Sequence, residues 1–274
     1  MMVFDEYVGQ STVFAYIRNN CDLPYLNPLM TNPEKFVAYP VLVIASILGG
    51  SSLLLFGMFL FGYSFTVTEL GFGRAGVLTW DAFLCLLFFF QHSAMVRKGF
   101  RQRLDLVVPP HFQGALYTAA SGVVLIVLVL FWQNSEQAIV SFQGASRWMA
   151  QGVFFASLAG MMWGMYALHS FDVFGNQKIL AHIRAAHVRD MPLAIQGPYR
   201  WVRHPLYFFT LLAIWSCPDL TVDRLLFNVL FTIWIVIGTR LEERDLVAEF
   251  QETYLDYQRR VPMLIPWKLH KPYY

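Results

Sequence analysis

The sequence predicts an all-α fold: a polytopic bundle of about six membrane-crossing helices with a helical extension at its end. Three observations predict it. Hydrophobic residues make up 57% of the 274 residues. Charged residues make up 14%, against about 25% in soluble domains. The apolar residues also gather into six runs divided by more polar connections.

A helix needs about 20 mostly apolar residues to cross a bilayer. Six segments approach this: 36–64, 76–96, 114–132, 149–169, 205–217 and 222–239. The first is long enough to tilt. The fifth is short, and only Pro218 to Thr221 separate it from the sixth, so the last two are expected to pair as a helical hairpin. Domain expectations follow: an N-terminal arm over 1–35, transmembrane helices one to four over 36–169, and a ligand-binding region over 170–274. The arm is polar and mixed, carries Pro24, Pro28 and Pro33, and shows no cleavable signal pattern.

Basic residues set the orientation. Seventeen of the 20 Lys and Arg fall on one side of this arrangement; Arg74, Arg147 and Arg224 fall on the other. Both termini are therefore expected on the cytoplasmic face of a bacterial-type membrane. Net charge is +2 with no duplex-tracking basic stripe, so nucleic acid is not an expected partner. Nor does any feature call for an obligate protein partner. Cys21, Cys85 and Cys217 lack metal-ligand spacing, and no two of the seven histidines stand three or four apart on a helix, so no metal is expected. Gly-rich phosphate loops are also missing from the sequence. In span four, Gly160-Met161-Met162-Trp163-Gly164 has the small-xxx-small spacing of a close helix contact.

The chemistry is expected at the cytoplasmic end. The run Gly197-Pro198-Tyr199-Arg200-Trp201-Val202-Arg203-His204-Pro205-Leu206-Tyr207 sets two arginines, a histidine and two tyrosines before an apolar segment. Pro205 suits the first turn of a helix, because it has no N–H to leave unpaired there. It also drives His204 toward an extended backbone. Such a collar suits a carboxylate-bearing ligand. After span six come Arg240-Leu241-Glu242-Glu243-Arg244 and then an apolar stripe, Leu246, Phe250, Tyr254 and Tyr257, which should fold back on the membrane core. Glu242 and Glu243 either form salt bridges with Arg240 and Arg244 or turn one carboxylate inward to a ligand. Gln91-His92-Ser93 is a further polar group, at the inner end of span two.

These elements resemble the isoprenylcysteine carboxyl methyltransferase-like superfamily of membrane methyltransferases. The resemblance rests on Gly197 to Tyr207, on Glu242-Glu243 about 35 residues later, and on Val261-Pro262 and Ile265-Pro266. Gln91 to Arg97 and Phe171-Asp172-Val173-Phe174-Gly175 are similar to the bacterial branch that contains methanethiol S-methyltransferase and NnrU-type proteins. One departure stands out: Phe250-Gln251 occupies the place of the usual Phe-Gly, which should alter a local bend.

The resemblance implies an S-adenosylmethionine-dependent methyltransferase, with S-adenosylhomocysteine as product. Gly197, Tyr199, Arg203, His204, Pro205, Tyr207, Glu242 and Glu243 would hold the cofactor. Arg203 and His204 would meet its carboxylate or adenine end, Tyr199 and Tyr207 would line the pocket, and a glutamate would take its amino or ribose hydroxyl groups. A small thiol such as methanethiol is the expected acceptor; a prenylated or lipid carboxyl or amine, or a non-enzymatic NnrU-type role, are the alternatives. Such displacement chemistry needs alignment above all. Because the thiolate is the nucleophile, a base or cation near the sulfur would help: His92, then Arg97, with Glu243 as the third candidate catalytic residue.

Overall fold

The computed structural model describes residues 32–135, 137–168, 172–184 and 193–267. The arm expected over 1–35 lies almost entirely outside them. Seven of the described elements are long or short helices before the last: α1 (Asn32–Phe61), α2 (Arg74–Val96), α3 (Lys98–Leu104), α4 (Pro110–Phe131), α5 (Gly144–Ala167), α6 (Gln177–Ile183) and α7 (Pro205–Trp215). The last helix, α8, runs from Val222 to Arg260. Two short strands, β1 (Ala138–Ser141) and β2 (Asp219–Thr221), pair antiparallel, a detail the apolar runs do not announce.

Among the described residues, four helices are both long and apolar enough to cross a membrane: α1, α2, α4 and α8. The fourth expected span, α5, reaches 24 residues, but its glycines, Ser146, Arg147, Gln151 and Ser157 dilute its apolar character. The fifth, α7, has 11 residues, a rise of roughly 16 Å against about 30 Å of hydrocarbon. Prolines open α4 and α7 as their missing N–H groups predict.

α1 lies along α4, α2 packs on both α4 and α8, and α5 pairs with α7. That last contact explains the two glycines of span four. A Cβ on Gly160 would run into the Phe209 ring, and one on Gly164 would stand 2.7 Å from Leu206 Cδ2. The core is aromatic: Phe59, Trp132, Phe227 and Phe231 meet edge to face or stacked, with centroids 4.1–5.6 Å apart. Large apolar side chains such as Phe36, Leu54, Phe83 and Phe90 point outward, as bilayer-facing residues do.

At the end of the bundle away from the collar, buried polar groups tie the helices together. Asp223 accepts from Trp132 Nε1 at 2.9 Å and from the Ser135 amide at 3.1 Å. Asp81 accepts from the Gln133 amide at 2.9 Å. Arg224 donates to the Phe59 carbonyl at 2.6 Å and lies over the Phe59 ring. Paired in this way, charges tolerate burial that would otherwise be costly.

Candidate active site

The collar forms where three elements meet: the 3₁₀ turn Gly197–Arg200, the start of α7 and the far part of α8. Gly197 has φ +54°, and a side chain there would press on Ala167 Cβ at 3.1 Å. Glycine is therefore required at the point where the chain turns in from the loop. His204 has φ −123° and ψ 67°, held out of the helical region by Pro205. Its amide and that of Arg203 donate to the carbonyls of Met263 and Pro262, at 3.1 and 2.9 Å, so the tail after α8 runs beside the collar.

A bend makes this possible. Gln251 has φ 48° and ψ −126°, a non-helical conformation inside α8. On a straight helix Glu243 and Gln258 would stand roughly 22 Å apart along the axis. Here Gln258 Nε2 donates to Glu243 Oε2 at 3.2 Å, and Tyr254 Oη donates to Glu243 Oε1 at 3.4 Å. Arg203 completes the group. Its Nε meets Glu243 Oε1 at 2.5 Å, and its Nη1 donates to the carbonyls of Gln258 and Val261. Tyr257 Oη donates to the Tyr199 carbonyl at 2.5 Å.

The two adjacent glutamates therefore have different surroundings. Glu243 is held by Arg203, Tyr254 and Gln258, with side-chain exposures of only 9% for Arg203 and 12% for itself. Burial would raise its carboxyl, but the His204 and Arg203 contacts outweigh that and hold it at about 2. Neither Arg240 nor Arg244 is the partner. Arg203 consequently is no free cation waiting for a carboxylate, as the collar alone suggests.

Glu242 faces the other way. Its Oε2 accepts from Tyr207 Oη at 2.9 Å and lies 3.9 Å from His204 Nδ1. Its Oε1 is buried with no hydrogen-bond partner. Tyr199 Oη nearby shares that condition, whereas His204 Nε2, though it makes no well-aligned hydrogen bond, lies 3.3 Å from Glu243 Oε1 as an ion-pair contact. Burial pushes the Tyr199 and Tyr254 phenols up. An acceptor and a phenol are thus left unmatched close to each other, and buried groups of that kind are normally matched.

The structure brings together Gly197, Tyr199, Arg203, His204, Pro205, Tyr207, Glu242 and Glu243. It leaves His92 and Arg97 elsewhere. His92 sits on α2 between Tyr117 of α4 and Trp234 of α8, and Trp234 precedes Glu242 by eight residues, roughly 12 Å of helix. Arg97 caps the end of α2 and is half-buried. Phe171 lies outside the described residues, but Asp172 caps α6 by accepting from the Asn176 and Gln177 amides. Gly175, at φ +67°, meets the Gly114 backbone closely. That segment docks α6 onto α4 rather than joining the collar.

A methanethiol S-methyltransferase from Pseudomonas deceptionensis is 39% identical over 191 residues, 68% of this chain and 71% of that protein. The chain belongs to the methanethiol S-methyltransferase family. Methanethiol S-methyltransferase 2 from Bradyrhizobium diazoefficiens is 33% identical over 183 residues, 67% of this chain and 71% of that protein. Nurim from Mus musculus is 26% identical over 184 residues, 62% of this chain and 68% of that protein. No family model matches the chain. No solved structure matches it either. As a member of this family the protein is a methyltransferase, an integral membrane enzyme, and it uses a methyl donor.

Sequence reasoning missed Tyr254, Gln258 and the Val261 carbonyl as partners of the collar. The apolar stripe Leu246 to Tyr257 hinted that this segment folds back, and the Phe250-Gln251 departure pointed to a bend there without giving its form.

Proposed function

We propose that this protein transfers the methyl group of S-adenosylmethionine to the sulfur of a small thiol such as methanethiol, at the cytoplasmic end of its bundle. One observation carries the reading: Glu242 Oε1 and Tyr199 Oη are buried without a partner on neighbouring elements, with His204 beside Glu242. The donor set suits that cofactor. Glu242 Oε1 accepts from its ammonium or ribose hydroxyl groups. Tyr199 and His204 hydrogen-bond its remaining polar edge, and Tyr207 holds Glu242 in place. When bound, the cofactor supplies an electrophilic methyl group on a sulfonium.

Arg203 and Glu243 act differently from the six that line the pocket. Together with Gln258 and Tyr254 they pin the α8 tail against the collar, closing the site from the solvent side. His92 lies about two helical turns of α8 deeper, toward the bilayer, the side from which an apolar, volatile thiol enters. Charge is neutralised rather than created in the displacement, so excluding water and aligning the reactants are what the protein must do.

Calorimetry with S-adenosylhomocysteine tests the cofactor assignment on detergent-solubilised protein. Wild type is expected to bind, and Glu242→Gln to lose at least tenfold in affinity. Equal binding by the two would overturn the role of Glu242, and no binding by folded wild type would overturn the cofactor assignment.

A further inference from the structure

Where the acceptor thiol sits is a separate question from where the cofactor sits, and a second polar cluster answers it. Tyr117 Oη lies 2.7 Å from His92 Nε2 and 3.1 Å from Nδ1, straddling one edge of the imidazole. Phe88 and Trp234 wall the ring, with centroids 5.2 and 5.3 Å away. Trp234 is itself fixed by donating to Ser93 Oγ at 3.1 Å. Beside them the Gln91 amide nitrogen reaches Met95 Sδ at 3.0 Å and Ser121 Oγ at 3.3 Å, while Gln91 Oε1 is buried without a partner. Turning the amide over would only strand its other end. His92 and Tyr117 are half-buried. Aromatic walls beside one unused amide end and one imidazole suit a small molecule carrying a single weakly polar group.

We propose that Gln91, His92 and Tyr117 form the acceptor site for a small alkanethiol, with His92 taking the S–H proton and Tyr117 as the positioning residue that orients the imidazole. This rests on the thiol-methyltransferase reading above. With the shorter contact as donor, His92 Nε2–H bonds to the Tyr117 oxygen, and Nδ1, 3.1 Å from that same oxygen, carries the lone pair. The S–H bond breaks and its proton goes to that nitrogen; the electron pair left on sulfur would form the bond to the methyl carbon as the methyl–sulfonium bond breaks, that bond's pair staying on the leaving thioether sulfur. The imidazolium then returns the proton to water. Attack by a thiol that kept its proton would leave a protonated sulfonium, a far stronger acid than imidazolium, so even a weakly basic imidazole suffices during the transfer.

Among the described residues, titratable and charged groups around His92 come from two elements: Tyr117 of α4, and Arg101 of α3 near the Tyr117 hydroxyl; α8 presents Trp234.

The experiment compares wild type, His92→Gln, Tyr117→Phe and Gln91→Leu by three readouts. These are S-adenosylhomocysteine affinity, methanethiol affinity of the S-adenosylhomocysteine-bound protein by calorimetry, and kcat/KM against pH. S-adenosylhomocysteine affinity is expected to stay within about twofold in all three variants, which shows that they are folded. Methanethiol affinity is expected to fall at least about tenfold in Gln91→Leu. Wild-type kcat/KM should vary little between about pH 6 and about pH 8. In His92→Gln it should rise about tenfold per pH unit, because only thiol already ionised in solution reacts. Tyr117→Phe should lower kcat more than it raises KM. Variants with wild-type thiol affinity and a wild-type pH profile would overturn the acceptor site while leaving the methyltransferase reading intact. A wild type that binds S-adenosylhomocysteine but methylates no thiol would overturn the reading on which the site rests.

Discussion

Replacing Gln251 with glycine should stabilise this protein and leave ligand binding intact. Gln251 has φ 48° and ψ −126°, a conformation that glycine adopts readily and side chains resist. Holding an ordinary residue there costs of order 1–3 kcal/mol. Against this, glycine gives the unfolded chain more freedom, worth roughly 0.5–1 kcal/mol. The Gln251 side chain is exposed, so little packing is lost. The net expectation is a gain of about 1 kcal/mol, or about 2–4 °C in Tm for a chain of this size. The assay is thermal unfolding in detergent, beside S-adenosylhomocysteine calorimetry. Gln251→Val, whose branched side chain tolerates this conformation worst, should unfold earlier and bind more weakly, since the bend brings Tyr254, Gln258 and the Val261 carbonyl to Glu243 and Arg203. A Gln251→Gly variant less stable than wild type, or a Gln251→Val variant indistinguishable from it, would refute the bend.

Other consequences follow from the same structure. Gly160→Leu should lower stability by about 1–3 kcal/mol through overpacking against Phe209, read as an earlier unfolding transition. Asp223→Ala strands the Trp132 indole N–H and the Ser135 amide, at about 1–3 kcal/mol for each buried donor, without changing S-adenosylhomocysteine affinity. Glu243 is held near 2 from an ordinary value of 4.5. A carboxyl lowered on folding stabilises above its unfolded value, so the lock between collar and tail should persist above pH 4.5 and weaken as pH falls toward 2, measurable as Tm against pH. Glu243→Gln should remove most of that dependence.

Much of the site was legible because its residues are close in sequence and chemically distinctive. Gly197, Tyr199, Arg203, His204 and Tyr207 fall within eleven residues, and Pro205 marks the helix start, so the collar could be read before any contact was known. Gly160 and Gly164 likewise announced a close contact, which proved to be α5 on α7. Other features depend on long-range meetings that no local pattern encodes. Which glutamate would pair with Arg203 was undecidable from adjacent positions, since one residue of helix turns a side chain by 100°. Tyr117 looked like one more aromatic in an apolar run, and only its approach to His92 sets it apart. The departure at Phe250-Gln251 marked where a bend was expected, but not that Gln251 would keep it at φ 48°. The Asp81, Trp132 and Asp223 contacts join residues more than fifty positions apart. α5 has the length of a span, 24 residues, but polar and small residues lower its apolar character.

The most direct test of the central claim is transfer of a labelled methyl group from S-adenosylmethionine to methanethiol by purified protein, read as labelled dimethyl sulfide in the headspace. Wild type should form it and Glu242→Gln should form at least about tenfold less. Absence of labelled dimethyl sulfide from a folded wild type that binds S-adenosylhomocysteine would contradict the account.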